Sequence, residues 1–285
     1  MELNDGSTEK NRVEGGTLYL VSTPIGNLAD ISERAVKVLR EADFIAAEDT
    51  RVTAKLLSHL SLNKPQISYH EHNKRACGET LISRLQNGES CALVTDAGTP
   101  GISDPGADMV RLCVEAQIPV TAVPGCCALI DALVLSGMDT RRFVFEGFLE
   151  SRGSARREYL ESLRHQTRTI IFYESPHDLT STLADLREVF GNRHITLCRE
   201  LTKRNEEIFR TDLDGAVSYY AAHEPRGEYV LILDGAPAAE RFWDGMSVRE
   251  HVDFYLSSGL SKMDAAKAAA RDRGVSKSVI YKELL

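Results

Sequence analysis

The stretch 94–106, VTDAGTPGISDPG, sets three glycines, two prolines and two aspartates directly behind the apolar run Cys91-Ala92-Leu93-Val94. It lacks both the GxGxxG spacing of a dinucleotide fingerprint and the GKS or GKT of a phosphate loop, so phosphate cradling is disfavoured. Gly98 and Gly101 instead let a flat, mainly uncharged group lie against bare backbone. Asp96, at the strand end, can accept from a ribose hydroxyl or an ammonium. Asp104-Pro105-Gly106 reads as the start of a helix over 105–116, with Asp104 as its cap. Two further turns sit behind strands. LVSTPIGNL (20–28) ends its strand in a Pro24 and Gly26 turn, and open α/β sheets bind ligands at such carboxyl ends. VPGCCALIDAL (123–133) runs from a strand through Pro124-Gly125 into a helix whose first N–H groups are exposed. Cys126 and Cys127 there are either small packing residues or thiols acidified by the helix start, and no histidine is close in sequence to act as a base.

Polar clusters follow other strands. AAEDTRVT (46–53) and YHEHNKR (69–75) put Glu48, Asp49, His70 and Glu71 where carboxylates and imidazoles from several strand ends can meet in one cleft for general-base work, or simply be solvated. Their HxH spacing is not the helical HExxH of a zinc site, and no metal is expected. IFYESPHDL (171–179) and CRELTKRNEE (198–207) add Glu174, Arg199, Glu200, Thr202 and Lys203, either a structural ion-pair network or a polar wall of the cleft.

These clusters need a scaffold. Apolar runs at 17–22, 43–47, 66–70, 91–95 and 119–123 read as strands, separated by helices such as 31–42 with Asp30 as N-cap, which implies βαβ units and a mostly parallel sheet. A second alternating block has strands at 142–146, 168–173, 194–199 and 228–234 and a helix at 177–190 stopped by Gly191. The expected layout is a polar disordered leader (1–15), an α/β domain (16–137), a second α/β domain (138–236) and a small helical domain (241–285). In the last, helices near 247–257, 262–273 and 276–284 turn at Gly259 and Gly274, as either a helix-turn-helix unit or a helical cap.

With 42% hydrophobic and 27% charged residues in 285, the composition is that of a soluble globular protein, and no apolar stretch approaches the roughly 18–20 residues of a membrane span. The N-terminus has no signal-peptide pattern, and six cysteines without a CxxC pair suit reduced thiols, hence a cytoplasmic location. A net charge of −8 gives no global attraction to nucleic acid but hides local basic patches.

Taken in order, TLYLVSTPIGNLADISERAVKVLREADFIAAEDTRVTAKLL, SYHEHN, LVTDAGTPGISDPG, VPG, FVFEGFL, IFYESPHDL and RELTK resemble the ribosomal RNA small subunit methyltransferase I family of the tetrapyrrole methylase superfamily, over nearly the whole chain. The resemblance implies a bilobal tetrapyrrole-methylase-like fold, two α/β domains with a small helical domain. It implies methyl transfer from S-adenosylmethionine to the 2'-hydroxyl of a cytidine ribose in 16S rRNA of the small ribosomal subunit, by a homodimer. The cofactor would lie between the lobes against Pro24, Asp96, Gly98, Thr99, Pro100, Gly101, Pro124, Gly125, Cys127 and Ala128, with Tyr173 and Gly235 from the second lobe. VPGCCA stands where most relatives have PGPSA, so contact at Cys127 falls to its backbone. A poorly acidic 2'-hydroxyl wants a base, for which Glu48 or Asp49 is the first choice and His70 or Glu71 the second. Arg51, Lys74, Arg75, Arg152, Arg156, Arg157, Lys203, Lys277 and Lys282 are the candidate RNA contacts. Two rivals stand beside this reading. One is a methylase of tetrapyrrole-type small molecules on the same scaffold; the other is a noncatalytic RNA-binding assembly factor.

Overall fold

The computed structural model describes residues 12–150, 153–237, 243 and 245–284. It divides into two compact units, Met1–Gly235 and Ala236–Leu285. Most of the expected leader lies outside the described residues.

The first unit carries two five-stranded sheets. Strands β1 (Leu18–Val21), β2 (Phe44–Ala47), β3 (Gln66–Ser68), β4 (Cys91–Val94) and β5 (Val120–Val123) run parallel in the order β3-β2-β4-β1-β5. Helices α1 (Glu33–Glu41), α2 (Thr50–His59), α3 (Lys74–Gln86) and α4 (Gly106–Glu115) connect them and cover both faces. Burial on both faces explains the uninterrupted apolar runs of β2 and β4, every residue of which is buried. From β1 the chain crosses over β4 to reach β2, whereas from β4 it crosses over β1 to reach β5. The loops after these two neighbours therefore part, opening the crevice where ligands of open α/β sheets bind.

The second sheet has β6 (Phe143–Phe148), β7 (Thr169–Glu174), β8 (His194–Arg199), β9 (Glu207–Asp212) and β10 (Tyr229–Leu233) in the order β6-β7-β10-β8-β9. It is mixed: β6 and β7 are parallel, while β10 is antiparallel to β7 and β8, and β8 to β9. Strand β9 has no counterpart among the strands expected from sequence. It is an edge strand with Glu207, Arg210 and Asp212 in six residues, and such charges, which blunt an edge against further pairing, also erase its apolar signal. Helices α6 (Ser154–Ser162), α7 (Leu179–Phe190) and α8 (Leu213–Ala222) pack on one face around Phe172, Leu183 and Leu231. The other face takes α5 (Ala128–Ser136), whose Leu129, Ala132 and Leu133 meet Ile171, Val230 and Ile232.

Helix starts differ in detail from expectation. Asn27 caps a 3-10 turn at Leu28–Asp30, and Ser32, accepting from the Ala35 amide, caps α1 in place of Asp30. Asp104 accepts from the amides of Gly101 and Gly106 and so closes the opening loop onto α4.

In the second unit α9 (Val248–Ser257), α10 (Lys262–Arg273) and α11 (Lys277–Leu284) pack around Val252, Ala265, Ala266, Ala269 and Ile280. Ser247 and Glu250 form a capping box on α9, and left-handed Gly274 ends α10.

Candidate functional site

The ends of β2 and β4 are neighbours in register, Ala47 opposite Val94, so Glu48 and Thr95 leave the sheet side by side. The Thr95 hydroxyl donates to Glu48 Oε2 at 2.6 Å, the Asp96 amide reaches the same oxygen at 3.4 Å, and the Asp49 amide donates to Asp96 Oδ1 at 3.0 Å. Desolvation and then the Glu48 charge push Asp96 above the usual range of an aspartate. Beyond it the loop turns through Gly98 at φ +85°, exchanging backbone hydrogen bonds with Thr23 (2.9 and 3.1 Å) that tie the β4 loop to the β1 turn. Thr99 donates to the Cys126 carbonyl at 2.9 Å and meets Ser22 Oγ at 3.0 Å, joining the third turn to the other two.

These residues form one wall of a cleft of about 480 Å³ between the lobes. The other wall is built from strand ends of the second sheet and the loops beyond them: Phe148, Tyr173 to Pro176, Cys198, Glu200, Leu201, Lys203 and Glu228 to Val230. The lobes meet closely at two glycines. A Cβ on Gly26 would lie 2.3 Å from Lys203 Cγ, and one on Gly147, at φ +65°, 3.2 Å from Ser103 Oγ. Tyr173 packs edge-on to Phe145 at 4.9 Å and is tilted against Phe148 at 5.4 Å, and burial pushes its phenol up to about 12.

Charge gives the cleft its character. Six carboxylates line it (Glu48, Asp96, Asp104, Glu174, Glu200, Glu228) against the Lys203 ammonium, which Glu200 at 2.8 Å and Glu228 at 2.7 Å already pair. Burial raises Glu174 as well. Such a site repels phosphate and suits a cationic, partly aromatic molecule laid on the bare backbone of Ala97 to Thr99.

The expected site residues are distributed unevenly. Asp96, Gly98, Thr99, Cys127, Ala128, Tyr173 and, among the proposed bases, Glu48 line the cleft. Pro24 opens instead on a smaller adjoining groove, and Pro100, Gly101, Pro124 and Gly125 are not part of the lining. Gly125 has a shaping role, since a Cβ there would be 2.8 Å from Ser22 Cβ. Gly235 is a correction: it follows β10 at the end away from the cleft, pressed on the Thr167 carbonyl. Asp49 is another. It caps α2 and takes three hydrogen bonds from the Arg51 side chain and one from the Arg51 amide, which hold it down at about 2, too acidic to be a useful base. His70 and Glu71 follow β3, on the far side of β2 from β4, outside the cleft lining; Glu71 pairs with Lys74 at 2.7 Å.

Of the candidate RNA contacts, Arg156 is overturned. It is 3% exposed, bound to Asp185 and, at 3.2 Å, to Thr182, so it serves the second lobe's interior. Lys74 is tied to Asp108 and Arg157 to Asp185 and Glu188, and Lys203 belongs to the cleft wall. Arg51, paired with Asp49 but 87% exposed, Arg75, and Lys277 and Lys282 on α11 face solvent, while Arg152 lies outside the described residues. Burial raises the Cys126 thiol, against a nucleophilic role. Among the described residues no three His, Cys, Asp or Glu side chains are grouped to hold a metal ion. Reading the sequence missed Ser103, Phe148, Ser175 and Tyr229 as lining residues. Ser103, at φ +63°, and Phe148, beside the bulge at Gly147, carry only the neighbouring glycines as a signal.

Residues 17–216 match the family model of the Tetrapyrrole (Corrin/Porphyrin) Methylases. The chain is 46% identical over 268 residues to Ribosomal RNA small subunit methyltransferase I of Synechocystis sp., covering 93% of this chain and 96% of that one. Against the protein of the same name from Halalkalibacterium halodurans it is 46% identical over 276 residues, covering 95% and 96%. Among solved structures it is similar to uroporphyrin-III-C-methyltransferase from Thermus thermophilus, with a TM-score of 0.56 at 17% identity over 78% of this chain and 95% of that one, a likeness of fold.

Proposed function

The chain belongs to the tetrapyrrole methylase family and, within it, to the ribosomal RNA small subunit methyltransferase I proteins, and from that premise we propose how its cleft works. The protein is an S-adenosylmethionine-dependent methyltransferase that modifies the 2'-hydroxyl of a cytidine ribose in 16S rRNA of the small ribosomal subunit. What carries the assignment to this cleft is its charge. A sulfonium and an α-ammonium outweigh the single carboxylate of S-adenosylmethionine, and the six carboxylates around one paired lysine fit that net positive charge. The residues that would hold it are Asp96, the 97–99 backbone, Cys127, Ala128 and Tyr173.

When bound, S-adenosylmethionine would supply an electrophilic methyl carbon for the ribose oxygen, with its sulfur as the leaving group that keeps the electron pair. The protein's own residues must align the hydroxyl, exclude water and take its proton. Asp96 is the proton acceptor. Its raised proton affinity suits a base better than Asp49, and Glu48, anchored by Thr95, sustains that affinity through its charge. Arg51 and Arg75 serve the RNA backbone from the first unit, and Lys277 and Lys282 are the candidate RNA contacts of the helical unit by itself. Ile130, Val134 and Leu135 leave an apolar strip of α5 at the surface, the face a second copy would cover in a homodimer. No helix of the described residues is long and apolar enough to cross a membrane, and with ribosomal substrate the protein works in the cytoplasm.

The test is labelled methyl transfer onto small subunits from cells lacking this protein, with ribose methylation mapped on 16S rRNA. A new 2'-O-methylcytidine is expected. Label in a tetrapyrrole precursor and none in rRNA would favour the small-molecule rival, and cofactor binding without any methylation the noncatalytic one.

A further inference from the structure

A second cavity of about 200 Å³ lies beside the cleft, between the 23–28 turn and α2. It shares Thr95 and Asp96 with the cleft, so the Asp96 carboxylate stands on the boundary between the two spaces. Its walls are Pro24, Leu28 and Val52, and Lys55 lies at its rim. Leu28 and Val52, 44% and 37% exposed, give the groove apolar walls open to solvent. The volume is below the roughly 300–1,000 Å³ of pockets that take whole cofactors, and suits a single ring. One turn of α2 back from Lys55 and outside the lining, Arg51 is exposed and paired with Asp49.

We propose that this groove receives the base of the target nucleotide, splayed from the RNA and held between Pro24 and Leu28 on one side and Val52 on the other. Lys55 and Arg51 engage the flanking phosphates. The inference rests on the reading of the cleft as the methyl-donor site and says where the acceptor enters. A nucleophile must approach the methyl carbon from the side opposite sulfur, so the acceptor needs its own space, contiguous with the donor's. Asp96 is the side chain on that boundary able to accept a proton. A base splayed from its strand is held between aromatic or apolar side chains, with cations on the backbone, and the groove offers an apolar pair and Lys55. A whole second cofactor is a poor occupant, since the groove is too small to take one.

The test fills or strips the groove. Val52→Trp plugs it, and because Val52 is exposed on the first turn of α2, the fold tolerates the change; Leu28→Ala removes one wall without adding bulk. Expected are cofactor affinity by calorimetry within about twofold of the parent, a fall in kcat/KM on small subunits of at least roughly 100-fold for Val52→Trp, and one of roughly 5- to 100-fold for Leu28→Ala. An amine-reactive acylating reagent, read by mass spectrometry without cofactor, should label Lys55 in the parent, small subunits should protect it, and Val52→Trp should lose the protection. Parent-like turnover in both variants, or unprotected Lys55 on an active parent, overturns the proposal, as does loss of cofactor affinity in Val52→Trp, which would give the groove to the donor. A parent that binds cofactor but methylates no RNA defeats the functional reading itself, and the groove assignment with it.

Discussion

Gly26 tests whether the two lobes meet as the cleft requires. A Cβ there would lie 2.3 Å from Lys203 Cγ, 2.9 Å from Thr202 Oγ1 and 3.2 Å from the Leu201 carbonyl oxygen. Lys203 cannot simply swing away, because Glu200 and Glu228 hold its ammonium at 2.8 and 2.7 Å. Gly26 is not in the left-handed region, so Gly26→Ala carries no backbone strain and gains about 0.4–1 kcal/mol from a stiffer unfolded chain. Overpacking opposes this with roughly 2–3 kcal/mol, the upper part of the usual range because Lys203 is held at both its backbone and its ammonium, leaving a net loss of about 1–2 kcal/mol. For the first unit, which ends at Gly235, that is a fall in Tm of roughly 2–8 °C. The displaced wall includes Leu201 and Lys203, so cofactor affinity should fall with it. Lys203→Ala removes the nearest obstructing atom. The double variant should therefore recover part of the loss, with a coupling of about 1 kcal/mol by thermal melting and calorimetry on all four proteins. Additive effects, or a Gly26→Ala protein as stable and as tight for cofactor as the parent, would refute the seam.

Glu48→Gln removes the charge that helps raise Asp96, so the acid limb of the kcat/KM profile should move to lower pH with activity retained; loss of activity at every pH would instead make Glu48 the base. Asp96→Asn should cost at least roughly 100-fold in kcat while raising Tm at neutral pH. The sign follows from linkage: the folded-state pKa is above the unfolded one, so the ionised form is penalised once the pH exceeds both, and the neutral amide escapes that penalty. Arg156→Ala, which leaves Asp185 with only the half-exposed Arg157 as a partner, should cost up to roughly 3 kcal/mol, seen as a drop in Tm, with no change in the salt slope of RNA binding. Arg51→Ala should flatten that slope by about 0.7–0.9 with little effect on Tm.

Much of the scaffold was legible because parallel strands buried on both faces spell themselves out as apolar runs, as in FIAA and CALV. What escaped depends on partners distant in the chain. EIFRTD is a strand because His194 to Arg199 offers it a six-residue register, which no local pattern reveals. Arg156 looked like one of a row of surface arginines, and only Asp185, on α7, shows that it points inward. The glycine turns announced the cleft, but not which carboxylates would face it. Glu48 and Asp49 are adjacent in sequence, yet one follows its strand into the cleft while the other turns away to cap a helix.

That divergence also accounts for how an acidic chain can act on a polyanion. With a net charge of −8 the protein gains nothing from its overall field, so RNA must be met by cations displayed locally and the donor's positive charge met by carboxylates kept apart from them. The break at residue 48 makes that separation. Glu48 goes into the cleft with Asp96, while Asp49 is neutralised in place by Arg51, whose guanidinium stays 87% exposed beside the groove. Had Asp49 also faced the cleft, three carboxylates would have crowded the ends of two neighbouring strands, and Arg51 would have lost the partner that orients it. Exposed cations are screened within about 8 Å at physiological salt, whereas the partly desolvated cleft is screened less, so the two halves of recognition answer to ionic strength separately.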